Sequence, residues 1–209
     1  MTRLRLLLGI GVLAAACASM PAQVPHAAWR RAQEATWPLQ ITETAQTFCT
    51  AFSVQESKGY WMTARHCVQS LIDTGTHASV GIVRTPVTIV YLDDVWDLAI
   101  VQSESKVRAI ALAAQAPQAG DAYAILGYPI GLGQAVVGGH IIFVAVPHAP
   151  GKMPSMIGDA HTSPGMSGGP VVNAAGALIG VHWGNSPDGQ WGASVIYGAV
   201  KQLYERFGG

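Results

Sequence analysis

Ser163-Pro164-Gly165-Met166-Ser167-Gly168-Gly169-Pro170 places Ser167 in a glycine-rich turn that runs at once into the apolar pair Val171-Val172. Glycines beside a hydroxyl remove side-chain bulk, so a substrate backbone can approach and neighbouring N–H groups can aim at one point. An ordinary hairpin loop could carry the same residues, and the turn alone leaves both readings open. The choice depends on whether a base and an orienting acid exist elsewhere in the chain.

Working upstream, Trp61-Met62-Thr63-Ala64-Arg65-His66-Cys67 reads as a strand end that delivers His66. A lone histidine is most often structural or simply exposed. Asp97 stands at the head of the apolar run Leu98-Ala99-Ile100, with Asp93 and Asp94 as competitors for an acidic role. A capping or turn aspartate would sit there equally well. In chain order these residues supply a base, an acid and a hydroxyl, which nucleophilic catalysis by serine requires. A serine hydroxyl is a weak nucleophile without an adjacent base, and histidine exchanges protons near neutrality.

Around these motifs run short apolar segments separated by turn residues. Strands are predicted over 47–54, 60–63, 80–83, 86–92 and 98–101, then over 122–126, 134–146, 156–160, 170–173, 178–183 and 193–197. A Pro/Gln/Ala/Gly stretch at 115–120 divides the two series. Only 198–207 reads as a helix, with Val200, Leu203, Tyr204 and Phe207 on one face. With Gly at 24 and Pro at 12 of 209 residues, the pattern predicts an all-β fold. Two small antiparallel β-barrels are expected, over 41–114 and 121–209, with 115–120 as linker and a short C-terminal helix. Formal net charge is zero and no Lys/Arg stripe occurs, so nucleic-acid binding has no electrostatic basis. The seven histidines are dispersed with no His-Glu-x-x-His, and neither a metal nor another cofactor is expected.

The amino terminus reads as a targeting segment, residues 1–17. Arg3 and Arg5 precede the apolar stretch Leu6 to Leu13 and the small residues Ala14-Ala15-Ala16. Cys17 resembles the acceptor cysteine of bacterial lipoproteins, although Ala14 stands where their box usually has Leu. Lipid anchoring and ordinary secretion are both open, and either puts the chain in the bacterial envelope or outside it. Residues 18–40, with Pro21, Pro25 and Pro38, are expected to be a tether. Of the three cysteines, a lipidated Cys17 would leave Cys49 and Cys67 free to pair in an oxidising compartment. Two buried thiols are the alternative.

Thr-Ala-Arg-His-Cys, Trp-Asp-Leu-Ala-Ile and Pro-Gly-Met-Ser-Gly-Gly-Pro together resemble the three signatures of chymotrypsin-fold serine proteases, in that family's order. The resemblance spans residues 41 to 207 and implies two six-stranded antiparallel β-barrels. It implies that Ser167 attacks a peptide carbonyl, His66 takes its proton and Asp97 orients the imidazole. Gly165 and Ser167 N–H would form the oxyanion hole, and Cys49–Cys67 would correspond to the family's histidine-loop disulfide. Animal digestive members carry Asp just before the nucleophile; Met166 here removes the activating ion pair that it makes with a freed amino terminus.

Leu178-Ile179-Gly180-Val181-His182-Trp183-Gly184-Asn185 is similar to a strand of V8-type glutamyl endopeptidases. That likeness implies that His182 and Thr162, five residues before Ser167, bind a substrate Glu or Asp; where that group uses its free amino terminus in the pocket, His161 is read here as the substitute positive group. A core histidine and a polar loop residue are the plainer readings of the pair. An α/β-hydrolase is excluded by order, because after Ser167 the sole His, His182, precedes the sole Asp, Asp188. The expected partner is a protein or peptide substrate. An HtrA-type envelope protease core and a silent binding protein on a protease scaffold are the alternatives. About forty residues follow Ser167 here, so the PDZ domain that usually follows in HtrA enzymes is not expected.

Overall fold

The computed structural model describes residues 26–130, 132–147, 153–186 and 190–209. The targeting segment and Cys17 lie outside them. The first barrel is built from β1 (Thr36–Ile41), β2 (Thr47–Gln55), β3 (Tyr60–Ala64), β4 (Ala78–Val80), β5 (Thr85–Leu92) and β6 (Leu98–Ser103). It closes in the order β1-β2-β3-β6-β5-β4, every pair antiparallel. The second closes as β10-β11-β12-β9-β8-β7. Its strands are β7 (Ala122–Gly127), β8 (Ala135–Pro147), β9 (Pro154–Gly158), β10 (Pro170–Asn173), β11 (Leu178–Asn185) and β12 (Gly192–Val195). The expected pair of six-stranded barrels is thus observed.

Successive side chains of a strand point to opposite faces, and here each face meets a different core. On β6, Leu98 and Ile100 join the core between the barrels, while Ala99 and Val101 fill the first barrel's interior. On β7 the same alternation sends Ala124 and Leu126 between the barrels and Tyr123 and Ile125 into the second barrel. Strands buried on both faces read as unbroken apolar runs, which is why these segments are visible in the sequence. Each large aliphatic buried this way contributes roughly 1.5–3 kcal/mol.

The helices depart from expectation. α1 (His26–Glu34) and β1 occupy most of the predicted tether. Ala32 and Ala35 are fully buried, Trp29 Nε1 donates to Asn173 O at 3.1 Å, and Trp37 packs on Trp61 with ring centroids 5.2 Å apart. Pro38 is tolerated in β1 because it lies beyond the stretch, Leu39–Ile41, that pairs with β4. α2 (Arg65–Thr74) is a second unpredicted helix: Val68 and Leu71 face inward, and Gly75 at φ +67 returns its N–H to the Ile72 and Leu71 carbonyls. α3 (Tyr197–Phe207) is the helix that periodicity predicts, and Tyr197 and Tyr204 bond the Ala113 and Ile110 carbonyls of the 104–121 crossing. The strand expected over 80–83 ends at Val80. Gly81 (φ +82) turns the chain against Trp37, whose ring a Cβ would meet at 2.1 Å, leaving Ile82 and Val83 exposed. Among the described residues no helix is long and apolar enough to cross a membrane.

Candidate functional site

The predicted base and acid come from the first barrel and the serine from the second. His66 follows β3 as the second residue of α2, and Asp97 ends the β5–β6 loop with φ +49. That left-handed backbone, uncommon outside glycine, turns the carboxylate back under the helix. Asp97 O accepts Arg65 N at 3.0 Å, Oδ1 accepts His66 N at 2.8 Å, and Oδ2 meets His66 Nδ1 at 2.8 Å. The carboxylate therefore holds both the backbone and the ring of His66. With Nδ1–H on Asp97, the free lone pair of the imidazole is on Nε2. The competitors have other work: Asp93 Oδ1 accepts Val95 N and Trp96 N, and Asp94 pairs with Arg65 at 3.0 Å on the surface.

A Cys49–Cys67 disulfide ties β2 to α2 immediately beside His66, with Cα atoms 6.2 Å apart. Cys49, His66 and Cys67 are the only three potential metal ligands clustered together among the described residues, and this bond consumes two of them.

Ser167 lies in the β9–β10 loop. Four consecutive carbonyls of this loop are engaged: Pro164 O by Ile130 N (2.9 Å), Gly165 O by Thr50 Oγ1 (2.8 Å), Met166 O by Gly169 N (3.0 Å) and Ser167 O by Thr50 N (2.8 Å). In a trans peptide the N–H points away from its carbonyl, so these bonds also aim the N–H groups. Met166 N finds Ser163 O and Gly168 N finds His182 O. Gly165 N–H and Ser167 N–H have no partner among the described residues. Two donors flanking one serine are left open for an anionic oxygen. Gly165 and Gly168 have φ of +97 and +83, and a Cβ on Gly168 would come within 2.2 Å of Thr63 Oγ1. The glycines are required. Ser167 Oγ itself donates to Trp183 O at 3.2 Å rather than to His66.

Thr162 and His182 do come together, Oγ1 to Nε2 at 2.8 Å. Asn185 completes the group: its Nδ2 donates to Thr162 O at 3.0 Å, and its Oδ1 faces the Thr162 hydroxyl. The hydroxyl proton goes to Asn185, so Thr162 accepts from His182 Nε2–H. Burial pushes His182 down to about 4, opposed in part by the Ala193 carbonyl and reinforced by the charge of His66. The ring is neutral at pH 7. His161, next to Thr162, is exposed.

Residues 49–181 match the family described as the trypsin-like peptidase domain. The chain belongs to this family. Among trypsin-like relatives, the serine endoprotease DegS of Haemophilus influenzae is 30% identical over 137 residues, covering 61% of this chain. The chain spans only 39% of that relative's length. A structure of the HtrA-type protease AlgW with a tripeptide is 26% identical, with a TM-score of 0.72, covering 85% of this chain and 61% of the other. An inactive form of the Rv3671c protease of M. tuberculosis H37Rv gives the same TM-score at 22% identity, covering 91% and 97%, a likeness of fold. These likenesses do not bear on kinship with glutamyl endopeptidases.

Sequence reasoning gave no role to Thr50, Asn185 or the Trp183 carbonyl. Asn185 lay in a quoted strand, but nothing marks it apart from other polar residues. Thr50 and the carbonyl have no local signal, because their partners are far along the chain.

Proposed function

We propose that this protein is a serine endopeptidase of the bacterial envelope, secreted or held to a membrane through Cys17. The observation that supports it most is the Asp97–His66 clamp opposite a serine flanked by two open N–H donors. Ser167 releases the Trp183 carbonyl, donates its proton to His66 Nε2 and attacks the substrate carbonyl carbon. Asp97 stabilises the resulting imidazolium, and the oxyanion lies between Gly165 N–H and Ser167 N–H. His66 then passes the proton to the leaving amine, and a water repeats the sequence on the acyl-enzyme. DegS and AlgW, a serine endoprotease and an HtrA-type protease, are relatives compatible with this reading.

The finer proposal is cleavage after Glu or Asp. Thr162 and His182 support it by meeting at 2.8 Å. A substrate carboxylate would replace Asn185 Oδ1 as acceptor of the Thr162 hydroxyl, since a buried carboxylate must be hydrogen-bonded. His182 then acts as a neutral donor behind Thr162.

The test is digestion of a peptide library by the mature protein, with fluorophosphonate labelling of wild type and Ser167→Ala. Labelling of the wild type alone, with cuts after acidic residues, is expected. Equal labelling of both proteins rejects the nucleophile; cuts with no acidic preference reject the pocket alone.

A further inference from the structure

We propose that Thr50 is a positioning residue that sets the two open N–H groups beside Ser167; this rests on the catalytic reading above. Thr50 sits in β2 of the first barrel and is fully buried, yet the groups it holds belong to the second. Of the four engaged carbonyls around the serine, Thr50 holds two, Gly165 O through its hydroxyl and Ser167 O through its amide, both at 2.8 Å. The same hydroxyl accepts Tyr128 N at 2.9 Å. Tyr128 begins the loop in which Ile130 N holds Pro164 O, and that bond directs Gly165 N–H.

One oxygen thus joins three segments: β2, the β7–β8 loop and the nucleophile turn. Its capacity suits the task, because a hydroxyl can donate once and accept as well. Thr50 O in turn accepts Thr63 Oγ1 at 2.7 Å, which locks the threonine to β3. The surrounding glycines leave just this much room: a Cβ on Gly127 would lie 3.1 Å from Thr50 Oγ1, and one on Gly168 2.3 Å from Thr50 O. Thr50 is fully buried and bonds neither the Ser167 hydroxyl nor the His66 ring, so it acts through Gly165 and Ser167. Its effect belongs to the stage at which charge develops on the carbonyl oxygen, when the donors must already be in place.

The experiment compares wild type with Thr50→Val, which keeps the shape and removes the hydroxyl, and Thr50→Ser, which keeps the hydroxyl. Three quantities are read on the mature protein: kcat and KM on a cleaved peptide, affinity for a peptide boronate, and the urea midpoint. In Thr50→Val, kcat and boronate affinity are expected to fall together, on the order of ten- to a hundredfold, while KM stays within about threefold. Thr50→Ser is expected to stay within about threefold of wild type in kcat, KM and boronate affinity, with the urea midpoint little changed. Unchanged kcat and boronate affinity in Thr50→Val overturn the proposal, as does a Thr50→Ser enzyme equally impaired. If Thr50→Val does not fold, Thr50→Ala is read by the same criteria. A wild type that neither turns over nor takes up fluorophosphonate removes the catalytic reading first; an active wild type matched by Thr50→Val removes this proposal alone.

Discussion

On the first barrel the candidate base and acid are side chains; on the second the turn that faces them works mostly through its backbone. Asp97 grips His66 at two points, and a disulfide one residue away fixes the same turn. Opposite them, the Ser167 loop contributes one hydroxyl and two N–H groups, aimed by hydrogen bonds from Thr50, Ile130 and Gly169. The imidazole and carboxylate are already joined, whereas the serine hydroxyl rests on Trp183 O. A side-chain clamp tolerates the backbone it is mounted on. A backbone device depends on every residue that shapes it, so the two halves should fail in different ways.

Asp97→Asn strikes the clamp and should give the largest effect. The amide no longer favours the Nδ1–H tautomer, and peptide hydrolysis is expected to fall on the order of 10⁴-fold with little loss of stability. A loss below tenfold, measured as kcat/KM, would mean that Asp97 is only a turn residue. Gly168→Ala strikes the backbone half. With φ +83 and no space toward Thr63 Oγ1 and Thr50 O, it should cost roughly 3 kcal/mol or more in urea unfolding and abolish activity with it. By contrast Gly120→Ala, at φ +90 with nothing within 4 Å, should cost only about 1 kcal/mol.

Replacing both Cys49 and Cys67 by Ala reopens a sequence separation of 18 residues. The expected loss is about 3 kcal/mol, seen as a lower unfolding midpoint that reductant no longer changes. If activity falls no further than stability, the disulfide serves the barrel rather than His66.

A pH-dependent effect concerns His182. Its folded value near 4 lies below 6.5, the usual imidazole value, so unfolding takes up a proton between them. The corresponding stability is fully present above about pH 6.5 and is lost as pH falls toward 4. Between pH 7 and pH 4.5 this contributes roughly 2 kcal/mol to the decline. His182→Gln should flatten that decline by the same amount in paired urea titrations; an unchanged slope would show that His182 is not buried in its neutral form.

Much of this was legible beforehand because it is periodic or compositional. Strands such as Leu98–Ser103 and Pro170–Asn173 show as apolar runs since both of their faces are buried. α1 and β1 were not legible: the prolines around them outweighed a pattern whose partners, the Asn173 carbonyl, Trp61 and Val80, are distant in sequence. The turn at Gly81 was obscured because Ile82 and Val83 continue an apolar run that the backbone leaves exposed.

By itself the sequence determined two β-barrels, the three motif residues His66, Asp97 and Ser167, and a Thr162–His182 pair worth looking for, since these follow from residue type and spacing along one chain. Tertiary structure alone decided that Asp97 holds both the backbone and the ring of His66, where the Ser167 hydroxyl rests, and that Asn185 touches Thr162 and Thr50 touches Gly165. Those outcomes depend on hydrogen-bond direction between distant segments, 115 residues apart for Thr50 and Gly165. A bond of that kind leaves no trace in local sequence, because its geometry exists only once both barrels have closed.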